Sequence, residues 1–160
     1  VFKNVIPTFH ELFLNEPQRE EFLFYIRRLP SIGFDFNDPV ELFAAVIYSY
    51  LLATHESFLK ININDISEDK KFQNFCKDEL GVFKAEQISI EITIQHIHGL
   101  TKKESYLTKG ERRQKAFLNN PHFNLAMKLG LLSGELNALD FDFWMSEKQR
   151  HQNPDPNQKN

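Results

Sequence analysis

The chain has 160 residues and a formal net charge of −3, which allows one sizeable core and offers no global attraction to nucleic acid or anionic lipid. Its one cysteine, Cys76, excludes an intramolecular disulfide and a multi-cysteine zinc site. A reducing cytoplasmic compartment fits that usage, and a secreted effector without disulfides stays compatible with it.

Residues 1–14 carry Lys3, Pro7, His10 and Glu11 and lack the apolar core of a signal peptide. Glu16-Pro17 then opens a helix bearing Phe22, Leu23, Tyr25, Ile26 and Leu29, with Pro30 as its stop. Residues 31–37 read as a loop turning at Gly33. The next start is written plainly in Asp38-Pro39-Val40-Glu41. Proline suits the first helical turn, where its missing N–H would have no partner. Asp38 is a good N-cap, and Glu41 stands at the spacing of a capping box. From there to about residue 59 nearly every face is apolar, so the helix must be enclosed by other elements. It is too short for a hydrocarbon core needing ~20 residues, and Ser49, Thr54, His55 and Glu56 close the run.

Asp65-Ile66-Ser67-Glu68 repeats the capping-box pattern before a face of Phe72, Phe75, Cys76 and Leu80, with Gly81 as a natural stop. Residues 88–94 alternate Ile with polar residues, the pattern of a half-buried strand. Such a strand could pair only with 60–64, giving a short two-stranded element. As a helix the same segment groups Ile88 and Ile92 on one face and Ile90, Ile94 and Ile97 on the next; the helical surroundings favour this reading. Thr108-Lys109-Gly110-Glu111 suggests a third capping box, leading to Ala116, Phe117 and Leu118. Asn120-Pro121 restarts the chain as a helix through Leu132, and Ser133-Gly134-Glu135 breaks it. A last helix carries Leu136, Leu139, Phe143 and Trp144. Residues 151–160 hold two prolines and no apolar residue, the composition of a disordered tail after a helical domain over 1–150. The expected fold is all-α, an irregular bundle of roughly five to seven helices around a buried central helix at about 39–59.

Three constellations bear on function. The aromatic end, with Phe141, Phe143 and Trp144, shows apolar groups on more than one helical face. Phe34 poses the same question in the loop before the central helix. A terminal helix is seldom enclosed on all sides, and aromatic side chains are enriched at interface cores. The leading reading is therefore a non-enzymatic protein-interaction module, such as an adaptor, a regulator or a bacterial effector domain, with another protein or a second copy as partner and no cofactor. The alternative is anion, phosphoinositide or nucleic-acid-backbone binding through Lys102, Lys103, Lys109, Arg112, Arg113 and Lys115, although Glu104 and Glu111 dilute that charge. The last alternative is a metal-dependent hydrolase using His96 and His98, which share a face on a strand but diverge by about 200° on a helix. No glycine-rich nucleotide loop and no G-x-S-x-G nucleophile motif is present.

Overall fold

A computed structural model of the chain describes residues 6–152, which hold ten α-helices and no strand. Helix α1 (Pro7–Leu14) and helix α2 (Glu16–Ile32) are divided by Asn15, whose side chain accepts the Gln18 N–H at 3.2 Å. Pro30 does not stop α2. It falls in the last turn, where the lost hydrogen bond costs least, and the helix runs on to Ile32. The stop is Gly33, at φ 90°, a left-handed conformation that glycine adopts without steric cost.

Helix α3 (Pro39–Thr54) is the buried centre. The Asp38 carboxylate accepts the Val40 N–H at 2.9 Å, as the cap requires. Glu41 does not close a capping box. It accepts the Asp35 N–H at 2.7 Å and pairs with Lys128 at 2.8 Å, tying the preceding loop and a distant helix to the start of α3. The helix ends at Thr54, earlier than its apolar pattern suggested, because two side chains turn back on its last carbonyls. Thr54 Oγ1 donates to the Tyr50 carbonyl at 2.9 Å, and His55 Nδ1 lies 2.8 Å from the Leu51 carbonyl. Phe58–Lys60 forms a separate 3-10 turn that sends Phe58 into the core.

Helices α4 (Ile63–Glu68) and α5 (Lys70–Asn74) are capped by Asn62 and Asp69, not by Asp65. Helix α5 widens into a π-turn over Phe75–Glu79, in which the Leu80 N–H reaches the Phe75 carbonyl at 3.0 Å. Gly81, at φ 70°, then reverses the chain, and the Val82 N–H closes on the Cys76 carbonyl at 2.8 Å.

Residues 88–94 belong to helix α6 (Lys84–Leu100), so neither they nor 60–64 form a two-stranded element. The helix wins because Ile90, Ile94 and Ile97 lie one turn apart and all three are buried, while Ile88 and Ile92 stay exposed. Helices α7 (Lys103–Leu107), α8 (Glu111–Leu118), α9 (Phe123–Ser133) and α10 (Ala138–Gln152) follow. Three of the ten, α4, α5 and α7, have 6, 5 and 5 residues, and the longer seven make the bundle. Thr108 closes no capping box; its hydroxyl donates to the Ser105 carbonyl, and α8 starts from Gly110. The box is found instead at α10, where the Asn137 side chain accepts the Asp140 N–H at 3.0 Å and Asp140 accepts the Asn137 N–H at 2.8 Å. Of the expected polar tail, His151 and Gln152 are the end of α10, and residues 153–160 lie outside the described residues.

Helix α3 packs against α2, α6 and α9, and α9 also packs along α6 and α2. Ala44, Ala45, Ile47, Tyr48 and Leu51 meet the inward sides of these neighbours in the main core. A satellite cluster of Leu12, Phe22 and Ala53 seats α1. Gly130 in α9 is needed for close approach: a Cβ there would stand 2.4 Å from Cδ1 of buried Leu136, whose N–H bonds the Gly130 carbonyl at 3.0 Å.

Candidate functional site

Helix α10 lies in a trough walled by α6, α7, α8 and α9, and this decides the fate of its aromatic residues. Trp144 is 0% exposed. Its indole N–H donates to the Leu100 carbonyl at 3.1 Å, and its ring meets Tyr106 at 4.9 Å, Phe117 at 5.3 Å and Phe123 at 6.0 Å. Phe143 is half-buried, edge-on to Trp144 at 4.9 Å and roofed by the Lys103 ammonium. Phe34 is buried in the main core. Phe34 and Trp144 are thus core residues, and Trp144 is one because four elements rather than one neighbour enclose the last helix. Of the four aromatics singled out, Phe141 alone counts as exposed, at 40%. It lines a cleft of about 570 Å³ between the end of α2 and the start of α10, together with Arg28, Ile32, Leu131, Leu136 and Ala138. Arg28 is fixed there by a hydrogen bond to the Leu131 carbonyl at 3.2 Å and lies over the exposed ring of Phe24.

His96 and His98 are not brought together. His98 stacks on Phe58 with ring centres 4.4 Å apart, and His96 stacks on Phe117 at 4.8 Å, on the other side of α6. Burial lowers the pKa of both imidazoles, reinforced at His96 by His122 and Lys109 and at His98 by Lys102. The Nε2 of His96 is buried without a hydrogen-bond partner among the described residues. Those residues contain no group of three or more His, Cys, Asp or Glu side chains placed to hold a metal ion. Burial, followed by the influence of Glu91, pushes the Cys76 thiol up to about 12, so it is packing rather than a nucleophile.

The basic segment is divided. Lys103 pairs with Asp140, and Lys109 lies 5.0 Å from the centre of the Phe117 ring. Lys102, Arg112, Arg113 and Lys115 are exposed and have no ion-pair partner among the described residues. Glu111 is held by Arg150 at 3.1 Å, and Arg150 also binds Glu147 at 2.7 Å and the buried Gln114 at 2.9 Å.

A second cleft, of about 550 Å³, was not legible as a motif. It opens beside the π-turn and the first turn of α6 and is lined by Gln73, Lys77, Gly81, Val82, Phe83, Lys84 and Gln87. Phe83, at the mouth, is 74% exposed. Behind the cleft Gln87 donates to the buried carboxylate of Glu91 at 2.9 Å. Among the described residues no helix is long and apolar enough to cross a membrane. Set beside known protein families, curated proteins and solved structures, the chain matches none of them.

Proposed function

We propose that this chain is a non-enzymatic protein-interaction module whose contact surface is centred on Phe141. The observation that carries the reading is the cleft between α2 and α10, where a half-exposed phenylalanine stands beside Ile32, Leu131, Leu136 and Ala138. Aromatic and arginine side chains at such a rim act as anchors when another polypeptide excludes water from them. Phe24, exposed under Arg28, extends the apolar surface. A second copy of the chain is the simplest occupant. Sedimentation velocity over a concentration series tests this. Reversible association is expected, and Phe141→Ser removes it while leaving the unfolding free energy within about 0.5 kcal/mol of wild type. A monomer at every concentration, or association unchanged by the substitution, refutes it.

A second reading draws on Lys102, Arg112, Arg113 and Lys115, four exposed cations without an ion-pair partner among the described residues, which support binding of a polyanion along the exposed side of α8 and the Lys102 turn before α7. Retention on a phosphate-bearing matrix then falls steeply with salt. Charge reversal at Arg112 and Arg113 abolishes it; retention indifferent to salt removes this reading.

A further inference from the structure

We infer that the cleft between the π-turn and the start of α6 is a binding site for a small amphipathic anion, an apolar body carrying one carboxylate. The size is right: about 550 Å³ falls within the ~300–1,000 Å³ of small-ligand sites. The charge pattern is one-sided. Lys77 and Lys84 both line the cleft, no carboxylate does, and neither lysine has an ion-pair partner among the described residues. The nearby Glu86 carboxylate accepts the Phe83 N–H at 3.3 Å, and two exposed lysines on one concave surface with no ion-pair partner among the described residues leave room for an anion.

The apolar half is equally marked. Val82 is buried at the base, and Phe83 is 74% exposed although it is a full phenyl ring. Isolated exposed apolar residues are ordinary, but this one stands at the mouth of a cavity rather than on a convex surface. Ile88, one turn beyond Lys84 on α6 and also exposed, continues the apolar strip. The backbone builds the concavity. The π-turn over Phe75–Glu79 inserts a residue into the helical ladder, and such turns recur at functional sites. Gly81 then turns the chain at φ 70°, with open space where a Cβ would lie, so nothing fills the floor from that side. Gln87, buried at 2% exposure, lines the back wall and keeps its amide bonded to Glu91, so that carboxylate does not face the ligand. The carboxylate head lies between the two ammonium groups, and the hydrocarbon lies against Val82 and Phe83.

Decanoate, decanol and decylamine, matched in chain length, are the probes for isothermal titration with the whole chain. Saturable decanoate binding is expected, with amide NMR shifts confined to the neighbourhood of Gly81, Val82 and Phe83. Lys77→Glu with Lys84→Glu weakens it by about tenfold or more. The milder Lys77→Gln with Lys84→Gln pair guards against a folding defect and weakens it in the same direction. Decylamine binding as tightly as decanoate, no saturable binding of decanoate, or affinity unchanged in both lysine pairs overturns the proposal. The Phe141→Ser variant keeps full decanoate binding, which separates this site from the interaction surface.

Discussion

Replacing Trp144 by alanine is the sharpest test of how α10 is held. The indole is wholly enclosed, with four aromatic rings within 4.9 to 6.0 Å and its N–H spent on the Leu100 carbonyl. Truncating a buried tryptophan leaves a cavity and costs about 3–5 kcal/mol. Leu100, the last residue of α6, also loses the donor to its buried carbonyl, an unmet group worth about 1–3 kcal/mol. The neighbouring rings relax into part of the space, so the sum is roughly 4–6 kcal/mol. Domains of this kind are stable by about 5–15 kcal/mol, so Trp144→Ala unfolds at low urea or does not fold. Trp144→Phe keeps most of the ring contacts but not the N–H, and loses about 1–3 kcal/mol. Far-UV circular dichroism across a urea series reads both, since the variants lack the chain's only tryptophan. An alanine variant with an unfolding free energy within about 0.5 kcal/mol of wild type would refute the enclosed position. Loss of self-association without loss of stability would place Trp144 on the surface instead.

Stability should fall as pH drops below neutrality. In the folded chain the His96 pKa is lowered by burial and by His122 and Lys109, and that of His98 by burial and Lys102. The unfolded chain therefore takes up protons that the folded one refuses. This stability is complete above the ordinary histidine pKa of about 6.5 and is lost as pH falls from there through the lowered values of the folded chain. Urea midpoints at neutral and mildly acid pH check this, and His96→Phe, which keeps the stack on Phe117, should flatten the slope in part. A slope identical to wild type would remove His96 from the account. Asp38→Ala, which deletes the cap of α3, should cost about 1 kcal/mol, measured in the same way; a neutral result would mean that the Glu41 contact with the Asp35 N–H alone fixes the helix start.

Much of this fold is written locally. The Asp38-Pro39 start of α3, the Asn15-Glu16-Pro17 start of α2 and the left-handed glycines at 33 and 134 all act within one turn of chain. What the sequence left open depends on partners far along the chain. Residues 88–94 fit a strand or a helix by pattern, and the choice was made by α3 and α9 packing against Ile90, Ile94 and Ile97. Trp144 looked like an interface anchor because its helix is the last one, but Leu100, Tyr106, Phe117 and Phe123 come from four separate segments to enclose it. Phe141 kept its exposure because it lies one turn before Trp144, near the start of α10, where the cleft with α2 opens. The cleft at Lys77 and Lys84 arises from a π-turn, and a single residue of extra winding has no compositional mark.

The contact between Gly130 and Leu136 constrains the variation this architecture can tolerate. The methyl of an alanine at 130 and the isobutyl group at 136 claim the same volume, so neither position can change size alone. Wherever this arrangement of α9 and α10 recurs, a residue larger than glycine at 130 should travel with a smaller one at 136, and large residues at both positions should be met only with the two helices farther apart. A pair of positions six apart would thus vary together as a signature of the fold, legible in an alignment before any coordinates are compared.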